Sequence, residues 1–218
     1  VTADVDLTIA NANEIIESLT NVVLPKILKK YDSINYSLEG EQQEQGDNLK
    51  SLGKNFILAM IVVYMLLAIP FKSYFQPLVV MSSIPFGVTG AVMGHIIMGM
   101  NLSVLSMMGI VALTGVVVND SLVMVDFINR YRKEGNTIKQ SVLEAGPRRF
   151  RPIFLTSLTT FVGLVPLILE KSTQAKFIIP MAVSLSFGVL FATAITLLLV
   201  PVSYLTLEKY ILKTEENK

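Results

Sequence analysis

Cysteine is absent from the chain and histidine occurs once, at His95. The first absence excludes disulfides and thiolate metal sites, and the second excludes a multi-histidine centre, so no resident metal or cofactor is expected. Charge is scarce as well: 16% of the residues are charged against 52% hydrophobic, with a net charge of +1 that points to no class of partner. The opening VTADVDLTIA carries neither an initiator Met nor the basic and apolar regions of a signal peptide, which predicts a piece of a longer protein.

What the chain does have is long apolar runs. Five segments, at about 55–71, 77–100, 102–128, 152–169 and 177–207, approach or exceed the ~20 residues that a ~30 Å hydrocarbon core requires. The last exceeds a simple span and is expected to tilt or project beyond the lipid. Prolines 70, 77, 152 and 201 punctuate helix ends, whereas Pro85, Pro166 and Pro180 predict local kinks. The fold class is therefore a mainly α, polytopic membrane protein.

Basic residues set the orientation. Arg130, Arg132, Lys133, Lys139, Arg148, Arg149 and Arg151 crowd the connection after the third span, which marks it as cytoplasmic. Alternation then places Lys72, Lys209, Lys213 and Lys218 on the same side, and Lys171 and Lys176 outside. The N-terminal segment falls outside and the C-terminus inside.

Residues 1–48 read as a small extracytoplasmic α/β piece, and 49–218 as the transmembrane domain. Thr2 to Val5 and Ile34 to Leu38 are expected as strands. Between them, Asn11 and Glu14 open a helix through Ile15, Ile16, Leu19, Val22 and Val23, which Pro25 kinks or restarts. EGEQQEQGDN is expected as a polar connector. So short a segment buries too little to stand alone, and further strands are expected from elsewhere in the parent chain.

Asp120 lies inside the third apolar run. An ionised carboxylate near the bilayer centre costs roughly 2.5–3.5 kcal/mol on insertion scales, so such a residue marks an ion or proton path or is held by hydrogen bonds as helix glue. Thr156, Ser157, Thr159 and Thr160 supply hydroxyls that would meet it if the third and fourth spans are neighbours. Asp126 is placed to pair with Arg130 at i+4. His95 reads as an interfacial hydrogen-bonder, and Gly90-xxx-Gly94 as a close helix contact. In NTIKQSVLEAGPRRFR, Ile138, Val142 and Leu143 predict a short amphipathic helix on the inner face, ended by Gly146-Pro147. No binding module surrounds its basic residues, so nucleic acid is not a partner.

GVVVNDSLVMVDFINRYRKEG, EAGPRRFRPIFLTSLTTFVGLVPL and FGVLFATAITLLLVPVSYL resemble the tenth, eleventh and twelfth helices of resistance-nodulation-division pumps of the acriflavine-resistance type. The two preceding spans would be the eighth and ninth helices, and residues 1–48 the end of the periplasmic porter domain. The resemblance implies a secondary active transporter and not an enzyme. It implies a homotrimer in the bacterial inner membrane that exports drugs or other amphiphilic compounds against the proton-motive force, with a periplasmic adaptor and an outer-membrane channel. Asn119 stands where the best-known exporters carry a lysine, Thr156 matches their relay threonine, and Asp120 replaces a neutral amide. Proton relay is thus assigned to Asp120, Asn119 and Thr156. Arg149 and Arg151 match basic positions at the cytoplasmic end, open to a proton exit or a topological anchor.

Other functions share these features. A protein-export accessory subunit or a lipid or sterol transporter has the same architecture. An intramembrane aspartyl protease needs a second aspartate in a neighbouring span, which the chain does not supply, and His95 is a weak partner for a serine mechanism. A structural subunit would tolerate loss of Asp120.

Overall fold

A computed structural model describes residues 12–29 and 41–216, with side chains over 15–29 and 46–208. The strands expected at Thr2 to Val5 and Ile34 to Leu38 lie outside the described residues. Among the described residues every regular element is helical.

The chain divides into two units, Val1–Ser51 and Leu52–Lys218. In the first, α1 (Ala12–Ser18) runs into a π-helical turn, Leu19–Val23, and then α2 (Leu24–Leu28). Pro25 occupies the first turn of α2, so the predicted restart is where the helix changes character. Its missing N–H removes one i→i−4 bond, and the widened turn just before it is closed by Leu24 N–H to the Leu19 carbonyl.

Five membrane-capable helices follow: Gly46–Phe71, Gln76–Met98, Val104–Lys133, Ile138–Ile168 and Ala175–Glu208. They belong to α3 (Glu41–Phe71), α4 (Gln76–Met81) with α5 (Ile84–Met98), α6 (Val104–Lys133), α7 (Ile138–Ile168) and α8 (Thr173–Glu216). Half of the most apolar stretch is buried in α4–α5, α6 and α8, against 6% in α3 and 11% in α7, so the first three form the centre. α8 is the hub, packing on α5, α6 and α7.

Glycine makes this closeness possible. A Cβ on Gly90 of α5 would lie 3.0 Å from the Phe187 carbonyl oxygen of α8, and one on Gly94 would lie 2.5 Å from Phe187 Cβ. On α6, a Cβ at Gly109 would come within 2.5 Å of the Met181 carbonyl oxygen. In lipid, where burial of apolar surface gives helices no drive to associate, backbone contacts of this kind supply the van der Waals attraction.

The structure corrects several expectations. The polar run EGEQQEQGDN is helical from Glu41 onward as the start of α3. The kink expected at Pro85 is a full break within the second span: α4 ends at Met81 and α5 starts at Ile84, with Pro85 in its first turn. Pro85 cannot donate to the Met81 carbonyl, and the break is fastened by Ser82 Oγ donating to Val79 O (2.7 Å) and Ser83 Oγ to Val80 O (2.6 Å). Ser83 also meets Ser121 of α6 at 2.8 Å.

The opposite error occurs at Gly146-Pro147. Instead of a separate amphipathic helix, α7 runs unbroken from Ile138 through Pro147, Pro152 and Pro166. A capping box between Thr137 and Gln140 starts it, and Val142, Ala145 and Ile153 are buried in one core cluster with Met124, Val125 and Ile128 of α6. Apolar contacts on both sides of the prolines outweigh the missing backbone bonds. Pro152 and Pro201 likewise sit inside helices rather than at their ends.

His95, in the last turn of α5, is a hydrogen-bonder buried between helices. Its ring is 2% exposed, with Nδ1 3.0 Å from the Ala91 carbonyl and Nε2 2.8 Å from Ser106 Oγ. Ser106 belongs to the capping box that opens α6 with Ser103, so the imidazole ties α5 to that helix start.

Candidate functional site

Asp120 projects from the buried face of α6, the same face as Val117, Ser121 and Met124, and is 7% exposed. Ser157 of α7 donates to its Oδ2 over 3.4 Å. Ser157 Oγ also lies 3.0 Å from the Ile153 carbonyl and 2.5 Å from Thr193 Oγ1 of α8. Three helices thus bring a carboxyl and two hydroxyls into one line.

A serine hydroxyl has one proton to give. Ser157 donates to the Asp120 carboxylate or to the Ile153 carbonyl, and Thr193 supplies the hydrogen that Ser157 accepts. If Asp120 holds a proton, the order reverses and Asp120 donates to Ser157. The cluster therefore has two hydrogen-bond polarities set by the state of one carboxyl, an arrangement compatible with a proton-carrying site and with hydrogen-bonded helix glue alike.

The other expected site residues lie apart. Asn119 is exposed, one residue and about 100° around α6 from Asp120. Thr156 is also exposed, and its hydroxyl donates back to Ile153 O at 2.8 Å rather than to Asp120. Thr159 and Thr160 both bond the Thr156 carbonyl. Ser157, one of four neighbouring hydroxyls in the sequence, is the one that faces the carboxyl. Thr193 was not among the expected residues, and its one signal was a hydroxyl within the apolar run FATAITLLLV.

At the basic end, the Arg149 guanidinium sits 4.9 Å from the Phe127 ring centroid, with its Nε buried and without a hydrogen-bond partner. Arg151 is exposed. Arg148 pairs with Glu144 at 2.9 Å and covers Tyr131, and Asp126 pairs with Arg130 as the i+4 spacing predicts. A polar clamp closes this end: Tyr204, fully buried on α8, donates to Asn129 Oδ1 at 2.7 Å, and Asn129 Nδ2 donates to Gln76 Oε1 at 2.8 Å. Arg132 and Glu208 pair beside it at 2.6 Å. These contacts fasten α4, α6 and α8.

Residues 6–208 match the family model described as the AcrB/AcrD/AcrF family. Over 180 residues the chain is 32% identical to the swarming motility protein SwrC of Bacillus subtilis (strain 168), covering 82% of this chain and 17% of that protein. A crystal structure of a heavy metal efflux pump, crystal form II, superposes with a TM-score of 0.71 at 27% identity, over 85% of this chain and 19% of the pump chain. Crystal form I of a heavy metal efflux pump gives 0.70 at 24% identity and supports the fold alone. The chain spans less than a fifth of the length of each of these proteins. With nearly all its length matched by the family model, the chain belongs to the AcrB/AcrD/AcrF family, within the resistance-nodulation-division superfamily.

Proposed function

We propose that the chain is the proton-coupling part of a secondary active efflux transporter, an antiporter that expels drugs or other amphiphilic compounds from the bacterial inner membrane. The observation that carries the reading is Asp120, a carboxyl buried in a membrane-capable helix, met by the Ser157 hydroxyl of α7, which in turn meets the Thr193 hydroxyl of α8. A charge-bearing group in a membrane-capable helix is costly, and residues retained there at that cost mark ion or proton paths. Asn119 and Thr156, on exposed faces of α6 and α7, act with it by facing further helices of the whole protein. Arg149 and Arg151 form the cytoplasmic proton exit or anchor. Residues 1–48 complete a periplasmic porter domain, and 49–218 form the membrane domain. The whole works as a homotrimer in contact with membrane lipid, with a periplasmic adaptor and an outer-membrane channel, and needs no cofactor beyond the proton-motive force.

Efflux of a fluorescent amphiphilic dye from vesicles holding the intact transporter is expected to stop when an ionophore discharges the proton gradient, and to survive removal of sodium. Sodium-dependent efflux would replace the proton by another ion. Export of a divalent metal and not of dye would move the substrate to the class handled by the heavy metal pump.

The orientation has its own test. A reporter fused at Asn136, in the turn between α6 and α7, is expected to be active only in the form that reads the cytoplasm, because Arg130, Arg132, Lys133, Arg148, Arg149 and Arg151 cluster at that end. Activity of the periplasmic reporter at that position would invert the topology.

A further inference from the structure

The geometry points to Thr193 and Ser157 as the leg that carries protons between Asp120 and a groove between α7 and α8, an inference that rests on Asp120 being the coupling carboxyl. The groove has a volume of about 520 Å³ and is open at one side. Phe150 and Phe154 of α7 and Leu190 and Leu197 of α8 form its apolar walls, and among the described residues its only polar side chains are those of Ser157 and Thr193. Each helix contributes a stripe at helical spacing: 150, 154 and 157 on one side, 190, 193, 194 and 197 on the other. The two hydroxyls that touch each other at 2.5 Å therefore connect the groove with the carboxyl behind it.

The groove reaches Gly146 and Pro147 towards the basic end of α7. Pro147, at that end of the groove, has no N–H for the Leu143 carbonyl one turn earlier. The volume has room for several water molecules at about 30 Å³ each, and the route requires them to enter past walls that are apolar apart from Ser157 and Thr193. A water chain entering there meets Thr193 Oγ1 as the first side-chain donor.

The transfer balances without a further reactant. A hydronium in the groove gives its proton to Thr193 Oγ1 while the threonine's own hydroxyl proton passes to Ser157 Oγ. The proton of Ser157 passes to Asp120 Oδ2, and the hydronium becomes water. Asp120 ends neutral, each hydroxyl still holds one proton, and both have reversed their direction. Release runs the same bonds backwards after the hydroxyls rotate. No other ionisable side chain occurs on α6 between Val104 and Val125, on α7 between Pro152 and Ile168, or on α8 between Phe177 and Ser203. The one on α5 is His95, engaged by Ala91 and Ser106. Asp126, Arg130 and Arg132 of α6, Arg149 of α7 and Tyr204 and Glu208 of α8 belong to the basic end.

The test follows the carboxyl itself. Infrared difference spectra after a pH jump, taken on the intact transporter in lipid, report the C=O stretch of a carboxyl taking up a proton. Asp120→Asn identifies the band by removing it. Thr193→Val, equal in shape but without the hydroxyl, is expected to slow the rise of that band by about tenfold or more, the scale on which positioned proton carriers act. Thr193→Ser should restore the rate. Ala194→Phe, at an exposed position lining the groove, should slow it without altering either hydroxyl. A wild-type spectrum with no band lost in Asp120→Asn overturns the reading of Asp120 itself. An assigned band that rises equally fast in Thr193→Val or in Ala194→Phe overturns the relay alone, as does slowing that Thr193→Ser fails to repair. Thermal unfolding in detergent separates these results from misfolding, and Ala194→Phe decides the route even if Thr193→Val does not fold.

Discussion

Replacing Asp120 by asparagine is expected to cut proton-driven export by about 100-fold, the loss typical of removing an essential proton carrier. The substitution keeps the shape of the side chain and an oxygen that accepts from Ser157, but removes the titratable proton. It also removes the charged form, whose cost in mid-membrane is roughly 2.5–3.5 kcal/mol, so folding and assembly should be kept or slightly improved. A packing role predicts the reverse order, with little effect on export and any loss confined to stability. Asn119→Ala and Thr156→Ala should have smaller effects. Both residues are exposed, and the Thr156 hydroxyl is committed to the Ile153 carbonyl. Export, normalised to protein level, is measured across a pH series. If Asp120→Asn exports like wild type at every pH, Asp120 is structural and coupling resides outside this chain.

The sequence made Asp120 conspicuous for the reason that it hid the rest of the site. One carboxyl in an apolar span stands out against every neighbour, and five such spans are legible because lipid sets a minimum length. Which side of each span faces protein is a different matter. In water the buried face is apolar and the exposed face polar, whereas in lipid both are apolar and the pattern carries little phase information. Among the hydroxyls of α7, Ser157 and not Thr156 meets Asp120, because the rotation of α7 is fixed by Val142, Ala145 and Ile153 packing on α6. Thr193 was lost among other buried hydroxyls of α8, such as Ser184, Ser186 and Thr196. Pro147 and Pro152 depart from expectation for a related reason. Pro85 breaks a helix whose neighbouring serines satisfy the freed carbonyls, while Pro147 and Pro152 sit in a helix anchored on either side. Proline alone does not distinguish the two cases.

Gly109→Ala is expected to destabilise the helical unit by about 1–3 kcal/mol, the usual cost of forcing a methyl group into a filled contact. Its new Cβ would lie 2.5 Å from the Met181 carbonyl oxygen and 2.9 Å from Ser184 Cβ. A carbonyl oxygen belongs to the backbone of α8, so relief requires moving the whole helix. Gly90→Ala meets the Phe187 carbonyl oxygen at 3.0 Å and should behave in the same way. Gly188→Ala differs in kind, because the atoms nearest its Cβ are the methyl groups of Leu113, with the Gly87 carbonyl oxygen at 3.1 Å. Leu113→Ala should therefore recover part of its loss, a coupling of about 0.5–3 kcal/mol between touching residues, and should recover none of the loss in Gly90→Ala. Gly53→Ala is the internal control: nothing lies within 4 Å of its Cβ, so the helix should gain about 0.5–1 kcal/mol from the reduced backbone freedom of the unfolded chain. Apparent melting temperatures of the purified transporter in one detergent rank the set. Gly109→Ala melting at or above the wild-type temperature would show that α6 and α8 do not cross at Gly109.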